Sequence, residues 1–222
     1  MKTTSKVVSV TCQPEQATSI IRFDKTPFYP QGGGQPSDKG TLHSSTCTAN
    51  IIKVVHTADE SVDHTAEMIS GSLNPGDSVE LSVDEELRKR NCRLHSAGHV
   101  VDAALAKLNI TCLTPAKAYH FEDGPYVEYD GVVTDMTKDE LAKAIEKVSI
   151  ELISDDLKVF IDFASSDPDD QKCQRSMRID GFPSIPCGGT HVSKLSEIGS
   201  MSIRRVEVKK GKTRVCYAVE SH

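Results

Sequence analysis

The sequence predicts a mixed α+β fold, and three observations support this prediction. Short β-type segments separated by turn signals occupy the chain from Val7 to Val83, and two amphipathic helical patterns follow them. Further β-type segments lie between and after the helices, without the strict alternation that a doubly wound parallel sheet requires. We therefore predict two domains, residues 1–83 and residues 84–222.

The first domain is predicted to be rich in short strands. Turn-forming residues separate the apolar segments, as in the run Asn-Pro-Gly-Asp at residues 74–77. The predicted strands cover residues 6–10, 19–23, 49–55 and 78–83.

The second domain is predicted to contain two helices and several strands. The first helix begins at residues 82–86, where capping and acidic residues stand together, and ends near Leu108. The second follows a capping box formed by Thr137 and Glu140. Its apolar face consists of Leu141, Ala144, Ile145, Val148 and Leu152. Strands are expected at residues 124–131, 157–163, 200–208 and 213–219, the last two as a hairpin.

Composition limits the cellular location and the partners. The chain lacks a secretory signal and an apolar run long enough to span a membrane, and its seven cysteines are odd in number and irregularly spaced. These features predict a soluble protein of a reducing, cytoplasmic compartment. The net charge of −6 argues against general affinity for nucleic acid. Two basic runs, residues 88–93 and 204–214, could still form a local patch, although such runs are more often solvated surface.

His95 and His99 form the first candidate metal-binding pair. On a helix they lie about 40° apart on one face, so that both rings can reach one ion. The apolar stripe of the same helix is centred about 150° away, which is not typical of core histidines, so an exposed, inert pair is the alternative. Gly98 between them predicts the close approach of another backbone or a ligand. Ser96 stands where a zincin protease needs glutamate, which excludes that class.

Cys187 and His191 form the second pair. Two prolines and two glycines in residues 182–195 exclude a regular helix, and Gly188 and Gly189 allow the thiol and imidazole to converge. Together the two pairs offer three nitrogens and one sulfur, a set that suits tetrahedral zinc. Coincidence in a chain with eight histidines and seven cysteines is the alternative.

The glycine-rich run Gly32, Gly33, Gly34 precedes Gln35. It matches neither the phosphate-binding loop of nucleotide hydrolases nor the dinucleotide-binding fingerprint. Such a loop can press its backbone against a ligand, with Gln35 as donor and acceptor, or it can be a plain hairpin connection.

Four segments, in order, carry a family resemblance: "FYPQGGGQP", "RLHSAGHVVDAAL", "IPCGGTHV" and "IGSMSIRRVEVKKGKTRVCYAV". They resemble the free-standing alanyl-tRNA editing proteins of the AlaX family and the editing region of alanyl-tRNA synthetase. The resemblance covers nearly the whole chain. The glycine-rich first domain and the absence of a long C-terminal extension are typical of the medium-length form.

The resemblance implies a small β-barrel-like N-terminal domain followed by an α/β-sandwich editing domain with a zinc site. It further implies a zinc-dependent hydrolase that removes serine or glycine from mischarged alanine tRNA and does not itself charge tRNA. One Zn²⁺ per chain is expected, held by His95, His99, Cys187 and His191.

Site roles are assigned by the same resemblance together with the chemistry of the residues. Gly32, Gly33, Gly34 and Gln35 are expected near the acyl pocket, with Gln35 lining it. The amides of Gly188 and Gly189 are candidates to stabilise the oxyanion. In the basic runs, Arg204, Arg205 and Arg214 are expected to contact the acceptor end of the tRNA through phosphates.

Four protein ligands leave no open position on a tetrahedral zinc, whereas a catalytic zinc normally keeps one. The sequence leaves three solutions: a loosely held ligand, a five-coordinate ion, or a zinc that only positions the substrate, which we favour. It also leaves a rival function, a non-catalytic, zinc-stabilised RNA-binding module. The oligomeric state is open, a monomer included.

Overall fold

The computed structural model describes residues 1–13, 15, 17–164 and 175–220. Its helices and strands form a mixed fold, which confirms the predicted class. Contacts within the chain divide it into two compact units. One unit comprises Met1–Gly32 and Pro36–Lys89, and the other comprises Gly33–Gln35 with the chain from Arg90 onward.

The first unit contains a closed six-stranded barrel. Its strands, in chain order, are β1 Lys2–Gln13, β2 Thr18–Phe23, β3 Gly40–His43, β4 Cys47–His56, β5 Val62–Gly71 and β6 Ser78–Val83. Around the barrel they follow the order β1-β2-β5-β4-β3-β6, with antiparallel pairs throughout. Because closure pairs every strand on both sides, the barrel presents no open edge for aggregation.

Alternation of side chains explains the interior of the barrel. Along β6, Val79, Leu81 and Val83 are buried while the intervening positions are more exposed. Along β4, Ala49 and Ile51 follow the same period until an irregularity in the pairing shifts it, after which Val54 is buried. The barrel therefore has an apolar core of its own.

The remaining elements follow the barrel strands in the chain. They are α1 Glu85–Lys107, β7 Thr114–Tyr119, β8 Tyr126–Asp130, α2 Lys138–Ser154, β9 Val159–Phe163, β10 Arg175–Ile179, β11 Ile185–Pro186, β12 Met201–Lys209 and β13 Lys212–Val219. The strands form two antiparallel sheets, β12-β13-β8-β7 and β11-β10-β9. The predicted hairpin of the last two strands is present, with Lys209 paired to Lys212.

Helix α2 lies against strand β12 and has the predicted cap. Thr137 accepts the backbone N–H of Glu140, and the Glu140 side chain accepts the N–H of Thr137. Leu141, Ile145 and Leu152 are buried on its inner face. The local sequence was sufficient to predict this helix, because its cap and its apolar period agree.

Helix α1 is buried on more sides than its apolar stripe predicts. Leu94, Val101 and Leu105 are buried as expected, but His95 and Ser96 are buried too. The alternative of an exposed, inert histidine pair is therefore wrong. The pair is buried because the loop around residues 187–192 covers the polar face of α1. There the Val192 N–H donates to Ser96 Oγ at 3.1 Å.

Among the described residues, no helix combines the length and the apolar character needed to cross a bilayer.

Candidate metal centre

Two pairs of side chains from distant parts of the chain meet at one point. His95 and His99 come from helix α1, and Cys187 and His191 come from the glycine-containing loop that follows β11. Their four potential ligand atoms lie within 4.8 Å of one another. Cys187 Sγ lies 3.4 Å from His95 Nε2 and 3.3 Å from His191 Nε2. Zn–S and Zn–N bonds of about 2.3 and 2.0 Å in a tetrahedron give separations of about 3.5 Å.

Neighbouring side chains orient two of the histidine rings. His95 Nδ1 lies 2.7 Å from Gln35 Oε1, and His99 Nδ1 lies 3.2 Å from Asp102 Oδ2. Both partners are acceptors, so each Nδ1 carries a proton, and each Nε2 is the nitrogen that would offer its lone pair to a bound ion. Asp102 is itself held by the Tyr129 hydroxyl at 2.6 Å. Such outer hydrogen bonds are characteristic of metal-binding histidines.

The residues present fit a bound zinc ion. His99 Nε2 is buried without a hydrogen-bond partner among the described residues, and an unsatisfied buried nitrogen is costly. An ion at the cluster would satisfy it. Imidazole nitrogens with one sulfur, and no carboxylate or carbonyl oxygen, form a donor set suited to zinc rather than to magnesium or calcium.

Electrostatics give three of the four side chains, His95, Cys187 and His191, the protonation state that a metal requires. Burial, assisted by nearby histidines, lowers the pKa values of His95 and His191, so both rings are neutral. Burial acts against the thiolate of Cys187, but the neighbouring His99 and the Gly189 N–H outweigh it and lower the pKa of the thiol. Burial also lowers the pKa of His99, yet Asp102 and Cys187 overcome this and raise it to about 9. Without metal, a proton therefore remains on His99 beside the thiolate.

Gln35 is completely buried, and its amide is fully used within the protein. Besides accepting from His95, Oε1 accepts the Thr190 N–H at 2.9 Å, and Nε2 donates to Thr190 Oγ1 at 2.8 Å. The sequence predicted that Gln35 would line an acyl pocket. That role stays a prediction; in the structure Gln35 joins His95 to the loop that carries Cys187 and His191.

The glycine loop brings Gln35 to this position. Gly33 and Gly34 have left-handed backbone conformations, with φ of 55° and 79°. The Gly34 carbonyl accepts the N–H of His120 at 2.8 Å, and a side chain at Gly34 would overlap the Ala118 carbonyl. Gly32 lies before this turn, where its carbonyl accepts the Tyr29 hydroxyl at 3.0 Å.

His120 belongs to the site although its sequence context did not reveal it. It is buried, its ring stacks on His95 with centroids 4.3 Å apart, and its Nδ1 lies 2.6 Å from the Tyr217 hydroxyl. That hydroxyl in turn donates to the Leu94 carbonyl. The close approach expected at Gly98 is present, but the group is the side-chain ring of His120, which a Cβ at Gly98 would overlap, and not a backbone or a ligand.

The two glycines of the Cys187 loop differ in surroundings. A Cβ at Gly189 would overlap the His95 ring, whereas no atom lies within 4 Å of one at Gly188. The N–H of Gly189 is engaged with the Cys187 sulfur, where it favours the thiolate. Of the two predicted oxyanion donors, Gly189 therefore has its N–H directed at the Cys187 thiol.

Several of the basic side chains are paired within the protein. Arg205 meets Glu207 at 2.6 Å, and Arg214 meets Glu128 at 2.8 Å and covers the Tyr126 ring. Arg204 is exposed on β12.

In the first basic run, each cationic side chain also has a partner. Arg88 binds Asp38, Lys89 binds Glu86, Arg90 binds Glu122, and Arg93 donates to the Ile198 and Glu220 carbonyls. This run therefore contributes to internal structure, and its charge is partly neutralised.

Two family models match parts of this chain. The model described as tRNA synthetases class II (A) matches residues 2–87. The model described as Threonyl and Alanyl tRNA synthetase second additional domain matches residues 175–215. The second match includes Cys187 and His191, two members of the cluster.

Curated relatives match most of the chain. The alanine–tRNA ligases of Petrotoga mobilis and Carboxydothermus hydrogenoformans are 32% and 30% identical over 96% and 91% of it. The chain spans about a quarter of the length of these ligases, 27% and 24% respectively. The alanyl-tRNA editing protein AlaX-M of Methanosarcina barkeri is 28% identical over 89% of this chain and 87% of its own length.

Proposed function

This chain is an AlaX-like relative of the alanyl-tRNA editing proteins, and from that premise we propose that it hydrolyses the aminoacyl ester of mischarged alanine tRNA. The amino acids released are serine and glycine. The observation that carries the proposal is the convergence of His95, His99, Cys187 and His191, a metal-binding set, in a chain that aligns with an editing protein along most of both lengths.

In this reaction water adds to the carbonyl carbon of the ester, and the bond between that carbon and the ribose oxygen breaks. The ribose oxygen takes up a proton, and the free amino acid is released. Zinc, when bound by the four side chains, supplies a Lewis acid that can orient the substrate or lower the pKa of a bound water to about 7. The protein's contribution begins with orientation. Gln35 and Asp102 hold the rings of His95 and His99, so that the ligand nitrogens do not reorganise when substrate arrives.

Two roles follow for the residues around the cluster. Gln35 acts through His95 and Thr190, because its amide is buried and already bonded to both. The Gly188 N–H is the proposed oxyanion donor, since Gly188 is exposed and no atom lies within 4 Å of a Cβ placed there. Discrimination against alanine then rests on a hydrogen bond to the serine hydroxyl, which alanine cannot make.

The rival function remains a zinc-stabilised RNA-binding module without catalysis. A four-ligand site that holds a helix to a loop is the observation in its favour, because structural zinc sites are closed. Only the hydrolase releases free amino acid from mischarged tRNA, so an assay of that release distinguishes the two functions.

The decisive experiment incubates metal-loaded protein with seryl-tRNA and alanyl-tRNA, both on alanine tRNA. We expect release of serine, with alanyl-tRNA largely intact. The double variant Cys187→Ala, His191→Ala should lose both metal and activity. Cys112→Ala, which removes an exposed cysteine outside the cluster, is the matched control and should retain both. Intact seryl-tRNA after incubation with metal-loaded protein would favour the binding module.

A further inference from the structure

Arg175 stands where the alternation of strand β10 predicts an apolar side chain. Met177 and Ile179 are buried on one face of this strand, and by the two-residue period Arg175 belongs to the same face, where it is half-buried. Burial of a charged group is costly unless the group is bonded. Within the described part of the chain, the hydrogen-bond partner of its guanidinium is not a carboxylate but the Cys187 carbonyl, which Nη1 meets at 2.7 Å.

Arg175 holds Cys187 from both sides of the main chain. The N–H of Cys187 donates to the Arg175 carbonyl at 3.0 Å, and the guanidinium of Arg175 donates to the Cys187 carbonyl. Both main-chain polar groups of Cys187 are therefore bonded to one residue, which fixes the direction in which the Cys187 side chain leaves the backbone.

The local sequence explains why this support is needed. Strand β11 has only two residues, and the second, Pro186, lies opposite Ser176 and has no N–H to donate. Two flexible glycines, Gly188 and Gly189, follow Cys187 directly. The bonds to Arg175 are thus the last contacts with β10 before the glycine-containing loop.

A cysteine ligand also needs a kind of support that differs from that of a histidine. A histidine ligand has a second ring nitrogen through which a neighbour can orient it, as Gln35 does for His95. The Cys187 side chain has no atom beyond its sulfur, so its orientation depends largely on the main chain to which it is attached.

We propose that Arg175 is a positioning residue for Cys187, and that it keeps the sulfur where it can share a metal ion with the histidines. The inference rests on the proposed function through its metal site. Cys187 Sγ lies 3.4 Å from His95 Nε2 and 3.3 Å from His191 Nε2. Metal–ligand distances tolerate deviations of only about 0.2 Å, so a small shift of the Cys187 main chain weakens this ligand.

The first test measures the affinity for Zn²⁺ by competition with a chelator. Arg175→Met keeps much of the side-chain length but removes the donor, and it should bind zinc about 10- to 100-fold more weakly than the wild type. Arg175→Lys keeps a cationic donor without the planar guanidinium, so it should recover part of this loss. The matched control is Arg178→Met on the same strand, where the guanidinium lies over the Phe160 ring and beside Asp180, and its zinc affinity should equal that of the wild type.

The second test uses Co²⁺ to distinguish positioning from a loss of folded protein. A thiolate bound to Co²⁺ produces a sulfur-to-metal charge-transfer absorption, whose intensity per bound ion reports whether Cys187 is a ligand. We expect this intensity to fall in Arg175→Met and to stay at the wild-type value in Arg178→Met. A variant that was only partly unfolded would bind fewer ions, but each bound ion would absorb as in the wild type.

Wild-type zinc affinity in Arg175→Met would overturn the inference. So would weakened affinity with a wild-type charge-transfer intensity, because Cys187 would then keep its position without Arg175. If Arg175→Met does not fold, Arg175→Gln supplies the same comparison, since its side chain ends before the Nη1 position that meets the Cys187 carbonyl. Neither measurement requires turnover, so a failure to release serine would overturn the proposed function and leave this result standing.

Discussion

At the scale of single residues, the candidate metal centre depends on the close contacts of Gln35 and Gly189. Gln35 joins His95 to Thr190 through three hydrogen bonds, and Gly189 permits the His95 ring to lie against the loop backbone. Neither residue donates a ligand atom to the cluster. Both nevertheless determine where a ligand nitrogen stands.

Gln35→Ala should weaken zinc binding by about 10- to 100-fold, because the Nδ1–H of His95 loses its acceptor and its ring is no longer held. Gln35→Glu keeps an oxygen acceptor for His95 and Thr190 and should lose less affinity. Competition with a chelator measures both values. Equal affinity in the wild type and in Gln35→Ala would show that the hydrogen bond does not position the ring.

Gly189→Ala and Gly188→Ala form a second matched pair. A methyl group at residue 189 overlaps the His95 ring, whereas the same group at residue 188 meets no atom within 4 Å. We expect Gly189→Ala to contain much less zinc after purification and Gly188→Ala to contain about one ion per chain. Elemental analysis measures this difference, and similar zinc contents in both variants would contradict the packing described here.

At the scale of secondary-structure elements, helix α1 shows how a tertiary contact can reverse a helix propensity. Replacing glycine by alanine inside a helix normally gains about 1 kcal/mol. At Gly98 the added methyl group would overlap the His120 ring, and such overpacking costs roughly 1–3 kcal/mol. Gly98→Ala should therefore lower the free energy of unfolding.

A double-mutant cycle separates the two contributions. In a His120→Ala background the obstacle is absent, so Gly98→Ala should become neutral or stabilising. Urea unfolding of the four proteins gives the coupling energy. If Gly98→Ala were equally destabilising in both backgrounds, its effect would come from some other neighbour, such as the Tyr217 hydroxyl.

The elements also show what a sequence can and cannot predict. Helix α2 and the β12–β13 hairpin were predicted because cap, apolar period and turn lie close together in the chain. Among the barrel strands, β3 and β5 were missed. The first has four residues and includes Gly40, and the second carries polar residues such as Asp63 and Glu67, so their conformation depends on partners in the closed barrel.

In the candidate site too, features that are local in sequence were predicted, and features that depend on distant contacts were not. The spacing of His95 with His99 and of Cys187 with His191 is local, and it predicted the pairs that the structure brings together. The roles of Asp102 and His120 depend on contacts with Tyr129 and Tyr217, which are distant in sequence and carry no motif. A candidate ligand set can therefore be predicted from spacing, whereas the groups that orient its side chains cannot.

At the scale of the whole molecule, both compact units bury neutral histidines, and this makes the folded state sensitive to acid. In the barrel, His64 is buried between Thr26 and the Ile21 carbonyl. Burial lowers its pKa to about 4, while nearby carbonyls and Asp63 only partly oppose this. An unfolded histidine titrates near pH 6.5, so between these values the unfolded chain binds the additional proton.

The contribution of neutral His64 to the free energy of unfolding is fully present above about pH 6.5. It is lost as the pH falls towards 4, and the total loss is on the order of 3 kcal/mol. His64→Gln removes this titration, so its free energy of unfolding should fall less steeply between pH 6.5 and 4 than that of the wild type. His43→Gln, which changes an exposed histidine of strand β3, is the control and should follow the wild type.

Loss of zinc in acid should affect the wild type, His64→Gln and His43→Gln alike. The metal cluster belongs to the unit that contains neither His64 nor His43. The quantity to compare is therefore the difference between the His64→Gln and His43→Gln curves, in which metal release cancels. Fluorescence- or circular-dichroism-monitored urea unfolding at several pH values supplies it. If the curves of the two variants were parallel, His64 would be charged in the folded barrel. Its second ring proton would then need a buried acceptor, and the Thr26 hydroxyl would have to provide it.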